Sequence, residues 1–531
     1  MPTPPVAQPS IAVVLPHRVS MPIGRMRGYL LAVNGTSAAV SSGTPGCHNM
    51  SHKRVARDIG LIAITQMLIS LGGFFLLPIV TKMLGPDSYG IWAQINVTIS
   101  LLYPLALVGL HMAFLRFLAA EEDEGVIREG FYSIVFFVGF TGFAISLAVY
   151  LLSDLLAVTL FGDIQASYFV KAGSFLILLT AVDLVATFYF RISRETGIYA
   201  ALSLFNSFGR LILILILLVL GFGLIGVIGG IFIIMLLEIM ISLALIVRRI
   251  GFALPRFTYI KEYLRYSAPI TPNSLIRWIT ESSDRFIVGF FLGVTAVGIY
   301  SAGYVIGGLI FQLMYPIQLI LFPELSRLYD RLEMESVKFY LSISLKYFLL
   351  AAIPAVVGLS ALAGPILDLF TTPQFASGAV VIPFIALSGL LAGIYQIVIN
   401  ITHLVKKNQF NLFIHVLAAI SNLLLNLLLI PFVGFIGAAI ATLISYTITA
   451  AVAVLFSVRY IRFRIYWSSI FKSVAASGVM AGIILLIPVC SVQNLLLAVG
   501  SGMVLYVMIM VLIKGLDRRE LDSLKKLLLN K

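Results

Sequence analysis

Leu84-Gly85-Pro86-Asp87-Ser88-Tyr89-Gly90-Ile91-Trp92 has an echo further along the chain. Position 84 returns at 292, an offset of 208, as Leu292-Gly293-Val294-Thr295-Ala296-Val297-Gly298-Ile299-Tyr300. Each copy sits in a short break between two long apolar stretches. A second echo, Gly223-Leu224-Ile225-Gly226 against Gly434-Phe435-Ile436-Gly437, lies at nearly the same offset. Two echoes in step indicate a duplicated chain, and internal period decides architecture before any local feature does. This duplication points to a transporter of two matching lobes rather than to an enzyme.

Composition sets the solvent. Of 531 residues, 60% are hydrophobic and 11% charged, and the mean hydropathy is +1.05. A soluble chain of this length carries about a quarter charged residues, so the solvent here is lipid. The net charge of +13 sits between apolar segments, as in the cytoplasmic loops of membrane proteins, which excludes a nucleic-acid partner. Cys47 and Cys490 are the only cysteines; they give neither a disulfide framework nor a metal cluster.

Crossing the hydrocarbon takes about 20 apolar residues in a helix. Fourteen such segments are expected, at 59–83, 91–117, 131–152, 168–190, 198–220, 224–247, 265–291, 297–322, 338–361, 378–402, 409–430, 435–458, 468–488 and 493–514. No connection is long enough to fold as a separate domain. Lys53, Arg54, Arg57, Arg128, Arg191, Arg194, Arg327, Arg331, Lys406 and Lys407 fall on one set of loops, with the stretch Arg248 to Lys261 and the run Arg459, Arg462, Arg464. The other set holds little beyond Lys82 and Lys171. By the positive-inside rule both termini are cytoplasmic and the protein is multi-pass in the cytoplasmic membrane.

Six helices per repeat is an even number, so the two units share one orientation, a parallel repeat. The expected fold is an all-α polytopic membrane protein of about 14 helices: two parallel six-helix lobes (57–247 and 265–458), a cytoplasmic linker (248–264) and two added helices (459–514). Residues 1–56 read as a disordered tail, with Met50-Ser51-His52-Lys53-Arg54 as a natural alternative start. Residues 515–531 place leucines among Lys and Arg, the pattern of an amphipathic helix on the inner surface.

An ionisable group at mid-helix costs about 2.5–3.5 kcal/mol on the insertion scale, so each needs an explanation. Segment seven holds four: Arg277, Glu281, Asp284 and Arg285. Spacings of four and three put the first three on one face, with Arg285 a turn beyond Glu281. They form either a neutralised ladder or a polar wall of a central cavity. Thr271-Pro272-Asn273 precede them; a proline there bends the helix, as a gate or as a static kink. Segment five carries Asn206 and Arg210 and no acid, so Arg210 needs a partner on another helix. Asp183 and Glu238 are the candidates, and the alternative is an anion-binding arginine whose fork fits a diphosphate. Lys346 snorkels to the interface. His111, His403 and His415 read as structural, and Asn400, Asn422 and Asn426 as makers of interhelical hydrogen bonds. There is no Walker phosphate loop, no metal-ligand spacing and no plausible Ser–His triad. Asn96-Val97-Thr98 fits the glycosylation pattern but lies inside a helix.

Three stretches carry a family resemblance. Residues Leu76-Leu77-Pro78-Ile79-Val80-Thr81-Lys82-Met83 running into the first echo resemble the first-helix signature of the polysaccharide biosynthesis flippases. These are the O-antigen flippase-like branch of the multidrug/oligosaccharidyl-lipid/polysaccharide exporters. Asp284-Arg285-Phe286-Ile287-Val288-Gly289 running into the second echo, and Pro431-Phe432-Val433-Gly434-Phe435-Ile436-Gly437-Ala438, resemble later signatures of the same family. The resemblance implies a flippase for polyprenyl-diphosphate-linked oligosaccharide that works by alternating access, without a cofactor. Its partners would be that lipid, the membrane lipids and glycan polymerases or glycosyltransferases. The expected substrate-binding residues are Arg210, Arg277, Arg285, Asn206 and Asn273, and the expected ion-coupling residues Asp183, Glu238, Glu281 and Asp284. Intramembrane positives and negatives balance, so the cavity is not plainly cationic. The first helix lacks the basic residues of the peptidoglycan-precursor branch. A multidrug/cation antiporter of the same superfamily is the alternative, and a membrane glycan polymerase, which needs a sizeable polar outer loop, fits least.

Overall fold

In a computed structural model of the protein, residues 45–119 and 121–515 are described, with side chains from Gly60 onward. The chain divides into two units between Asp58 and Ile59. In the first, residues 45–58 are helical, including the stretch 45–56 expected to be disordered. Residues 1–44, and the expected amphipathic tail beyond Gly515, lie outside the described residues.

The second unit is built of helices because lipid offers the backbone no hydrogen-bond partners, and a helix satisfies its own. Twelve helical spans are long and apolar enough to cross a membrane. Two of them are too long for one crossing. Gly60–Leu107 has 48 residues and Ile260–Asp330 has 71, against the roughly 20 that span the hydrocarbon. Both fold back at the glycine of the echo. Gly85 has φ 73° and ψ 176°, and Gly293 has φ 81° and ψ 175°. That region of backbone space is open to glycine and essentially closed to other residues. Counting each long span twice gives fourteen crossings among the described residues.

They are α1 (60–84), α2 (86–107, extended after a turn by Leu110–Phe117), α3 (Glu124–Leu151), α4 (Ala166–Ile192), α5 (Thr196–Val219), α6 (Gly223–Ile250) and α7 (271–292). After these come α8 (294–307, extended by Leu309–Gln312 and Tyr315–Asp330), α9 (Met334–Ala361), α10 (Val381–Val398), α11 (Asn408–Val433), α12 (Phe435–Ser457), α13 (Trp467–Ile484) and α14 (Val492–Leu512). In the first half α4 packs on α3 and α6, and α5 on α6. In the second, the α7–α8 pair packs on α10 and α11, with α8 meeting α10 at Gly303 and Gly307, and α12 packs on α10 and α11. Helix α13 lies against α9, and α14 against α13. At the turn between α3 and α4, Asp154 accepts hydrogen bonds from the Ser167 hydroxyl and from Lys171 Nζ at 3.0 Å. These hold its carboxyl below the ordinary carboxylate range.

The two echoes do more than repeat; they touch. A Cβ placed on Gly90 would lie 1.9 Å from the Val294 carbonyl oxygen, and one on Gly298 would lie 2.1 Å from that of Pro86. Each would also sit 3.1 Å from the other glycine's backbone nitrogen. The contact is reciprocal, as a two-fold repeat requires, and only glycine allows it. Beside it Thr295 Oγ1 donates to Asp87 Oδ1 at 2.5 Å, and these two residues are themselves 208 positions apart. Helices α1 and α2 are thereby joined to α7 and α8 at the Gly85/Gly293 end.

Two local expectations change. Pro272 lies in the first turn of the helix Thr271–Gly307, after the 3-10 turn Ala268–Ile270. A first-turn proline gives up no helical hydrogen bond, so it starts α7 rather than bending it. Asn422 and Asn426 bond to each other along α11 at 2.9 Å, and Asn400 to the carbonyls of Gln396 and Ile397, all within their own helices. The short distance from i to i+4 wins over partners on neighbouring helices.

The expected linker 248–264 resolves into three parts: the end of α6, an irregular stretch, and a helix over Ile260–Ser267. The irregular part is pinned along α3. Phe257 N donates to Ser133 Oγ at 3.1 Å, Thr258 N to Glu129 Oε1 at 3.0 Å, and Tyr132 Oη to the Gly251 carbonyl at 3.0 Å.

Candidate functional site

A cavity of about 1070 Å³ lies between α1, α2, α4, α5, α6 and α7. Its walls run from Leu76, Asn96, Thr180 and Ser282 at mid-helix to Leu115, Arg191, Tyr199 and Ser274 at the ends that carry the basic loops. No residue near Gly85 or Gly293 lines it. The cavity thus occupies one half of the molecule, and the reciprocal glycine contact closes the other.

Neutralisation decides how its deepest polar group is built. Helix α5 brings Asn206 and Arg210, α4 brings Asp183 and α6 brings Glu238, and all four line the cavity. Glu238 is 1% exposed. The Asn206 side-chain amide donates to Glu238 Oε2, and the Asp183 and Glu238 carboxyls lie close enough to interact directly. Two carboxyls in such contact need a proton or a cation between them, because both cannot carry charge at that distance. Arg210 interacts electrostatically with both acids, yet its Nε has no hydrogen-bond partner, and neither has Asp183 Oδ1. Buried donors are normally satisfied, so this guanidinium is placed to take an acceptor from the cavity.

Helix α7 supplies the opposite wall. Arg277 and Glu281 both line it, with Nε 4.0 Å from Oε1 and side chains 63% and 51% exposed. An ion pair this open and this long holds little energy, which leaves Arg277 free to turn to a ligand. Between them Trp278 donates its indole N–H to Ser100 Oγ at 2.9 Å and to the Val97 carbonyl at 3.2 Å, fixing α7 against α2.

The expected ladder on α7 splits. Asp284 is 2% exposed and turns away from the cavity, accepting from Tyr300 Oη at 2.5 Å and from Arg285 at 3.0 Å. Arg285 lies over the Tyr304 ring, 3.9 Å from its centroid; it pairs with the Asp284 carboxylate and, one turn beyond Glu281, donates to the Glu281 carbonyl at 2.9 Å rather than to its carboxylate. The Arg285 carbonyl accepts from Gln94 Nε2 of α2 at 2.9 Å. Asp284, Arg285, Tyr300 and Tyr304 therefore tie α7 to α8 outside the cavity. Asn273 is exposed at the start of α7 and is not among the cavity residues; its neighbour Ser274 is.

Arg191, read from sequence as an ordinary loop cation, proves to line the cavity at its basic end. Its guanidinium lies 5.1 Å from the Phe188 ring centroid and 5.5 Å from that of Tyr199. His111 lines the same end, edge-on to Phe188, with Nδ1 buried and unpartnered. The signal for this cluster was present in the sequence: aromatics three before and eight after Arg191 flank the turn at which α4 meets α5. His415 bonds to Tyr395 and His403 to Asn408, as structural histidines do.

Arginines 191, 210 and 277 face the carboxyls of 183, 238 and 281 across this space, three against three. The repeat sharpens the asymmetry. Positions 69 and 73 on α1 correspond to 277 and 281 on α7, and all four line the cavity, yet α1 offers only Ile69 and Gly73.

Comparison with known proteins places this architecture. The chain is 22% identical over 277 residues to the probable low-salt glycan biosynthesis flippase Agl15 of Haloferax volcanii, covering 51% of this chain and 59% of that protein. It is 34% identical over 173 residues to the probable flippase AglR of the same organism, covering 32% and 36%. The chain thus spans well under two thirds of either relative. Its fold resembles that of the lipid II flippase MurJ in an inward closed conformation, with a TM-score of 0.72 at 18% identity over 86% of this chain and 99% of that one. Residues 79–380, more than half of the sequence, match the sequence model of the polysaccharide biosynthesis protein family, and the chain belongs to that family.

Proposed function

We propose that the protein flips a polyprenyl-diphosphate-linked oligosaccharide from the cytoplasmic to the outer leaflet by alternating access. The observation that carries this reading is the cavity itself. It is sealed at one end by the Gly90–Gly298 contact, and it holds a half-buried arginine, Arg210, whose buried Nε has no hydrogen-bond partner. Its volume stands at the top of the roughly 300–1,000 Å³ range of small-ligand sites, enough for a sugar head. Arg210 and Arg277 are the diphosphate ligands, because the guanidinium fork matches phosphate oxygens. Arg191 is the cation the lipid head meets first. The polar side chains of Asn206, Tyr199 and Ser203 face the sugars. Arg285 and Asp284 brace α7 against α8, and Asn273 sits at its start.

With the basic loops cytoplasmic, the open half faces inward and the glycine seal faces out. The proton or cation held between Asp183 and Glu238 is the coupling ion. When the diphosphate takes Arg210, the two acids lose their counter-charge and retain that ion; when the head leaves, Arg210 returns to them. The cavity's balanced charge also suits a cation antiporter, and one measurement separates the two. Titration of purified protein with a short prenyl diphosphate should show affinity falling about tenfold or more in Arg210→Ala and in Arg277→Ala, since charge-assisted bonds are worth about 1.5–3 kcal/mol. Unchanged affinity in both, with tight binding of an organic cation lost in Glu238→Gln, would favour the antiporter.

A further inference from the structure

With Arg210 and Arg277 on the diphosphate, and Asp183 and Glu238 sharing a proton or cation, one carboxylate of the cavity wall has no task. Glu281 sits one turn beyond Arg277 on α7, toward the sealed end, with its side chain 51% exposed. Its ion-pair partner among the described residues is Arg277, at 4.0 Å. Arg285, a turn further on, is held by the Asp284 carboxylate and donates to the Glu281 carbonyl rather than to its side chain. The lining residues of α1, Ile69, Gly72, Gly73 and Leu76, carry no charge and no side-chain donor. At Gly73, which the repeat pairs with 281, an added Cβ would meet nothing within 4 Å. That wall is bare and has room beside it.

When Arg277 turns to a phosphate, Glu281 loses its counter-charge. A carboxylate can only accept hydrogen bonds, and one left without donors in an enclosed space is costly. What can satisfy it is the group the diphosphate carries. One turn of α7 is about 5.4 Å, within the reach from a phosphate to the hydroxyls of the sugar bonded to it.

We infer, on the flippase reading of this cavity, that Glu281 reads the first sugar of the transported glycan. It accepts from hydroxyl, acetamido or ammonium groups and excludes a sugar that bears a carboxylate there. The substrate class is then a lipid diphosphate whose first sugar is neutral or basic. A uronic acid in that place would set two carboxylates together while Arg277 is engaged elsewhere, and like charges so placed repel.

The test titrates the purified full-length protein with three ligands on one short prenyl chain. They are the bare diphosphate, the diphosphate bearing N-acetylglucosamine and the diphosphate bearing glucuronic acid. Wild type should bind the N-acetylglucosamine form about tenfold or more tighter than the glucuronic acid form, the scale of two unit charges a few ångströms apart near water. Glu281→Gln keeps the side chain's size and should bring the two within about threefold, weakening the first and strengthening the second. Glu281→Ala should do the same, so the outcome does not hang on one variant folding, which melting without ligand checks. Bare diphosphate should bind both variants no more weakly than wild type, because neither change removes a cation and both release Arg277. Equal affinity of wild type for the two sugars overturns the assignment, as does a preference that both variants leave unchanged. In either case bare diphosphate held by Arg210 and Arg277 leaves the flippase reading standing. Bare diphosphate that does not bind, or binds equally to Arg210→Ala and Arg277→Ala, overturns that reading and the role of Glu281 with it.

Discussion

Replacing Gly298 by alanine should force the closed end open. The added methyl would stand 2.1 Å from the Pro86 carbonyl oxygen and 3.0 Å from its carbon. Ordinary contact begins at 3.4 Å, so α8 must retreat from α2 by about 1.3 Å (3.4 minus 2.1). Backbone cannot yield as a side chain would, and overpacking of this kind costs about 1–3 kcal/mol. Retreat also stretches the 2.5 Å bond between Thr295 and Asp87, a further loss of about 1 kcal/mol. The penalty falls on the sealed state alone, so a total of about 2–4 kcal/mol shifts the balance toward the state open at that end by about thirtyfold to a thousandfold. Spin labels at Asp163 and Ser377, both exposed at the Gly85/Gly293 end, with Cys47 and Cys490 replaced by serine, would report this as a longer distance distribution. Gly90→Ala should act alike, with a 1.5 Å retreat (3.4 minus 1.9). Gly482→Ala, where nothing lies within 4 Å, should change nothing. An unaltered distribution in both Gly298→Ala and Gly90→Ala would refute the idea that these glycines form the seal.

Asp284→Ala should lower the melting temperature sharply without weakening prenyl-diphosphate binding in the variant that still folds. It strands the Arg285 cation between two tyrosines, and breaking a buried pair costs about 3–5 kcal/mol. Tyr300→Phe removes one neutral donor from the same carboxylate and should cost about 1–2 kcal/mol, read in the same melt. Trp278→Phe keeps the ring and loses both indole hydrogen bonds to α2. It should loosen α7 and raise hydrogen exchange over residues 274–282 while leaving global stability within about 2 kcal/mol.

Much of the fold was written in periodicity and charge. The echo at Gly85 and Gly293 showed duplication and both turn positions, since a glycine between two apolar runs is where a chain can fold back. It could not show that the copies meet, because contact across a two-fold axis leaves no local pattern. Charge neutrality named Asp183 and Glu238 as the surroundings of Arg210, because a lone guanidinium in lipid must find acids. Helical spacing grouped Arg277, Glu281 and Asp284, but three residues of α-helix turn the side chain by about 300°. That sufficed for Asp284 to leave the cavity for Tyr300, a partner sixteen residues on that spacing within one helix does not reveal. Arg191 was hidden by its place in a turn, where cations are ordinarily solvated; only the fold shows that this turn borders the cavity. Pro272 misled because a proline reads as a kink until the start of its helix is fixed.

On the proposed function, the cavity carries a lipid-linked glycan across the membrane on its arginines. Purified protein in liposomes, given a polyprenyl-diphosphate oligosaccharide on one face, tests it directly through lectin capture on the other. Wild-type protein should translocate the glycan, with a drop of about tenfold or more in Arg210→Ala and in Arg277→Ala. Full translocation by both variants would remove the named site, and a wild-type protein that leaves the glycan in place while exchanging an organic cation for protons would be an antiporter and not a flippase.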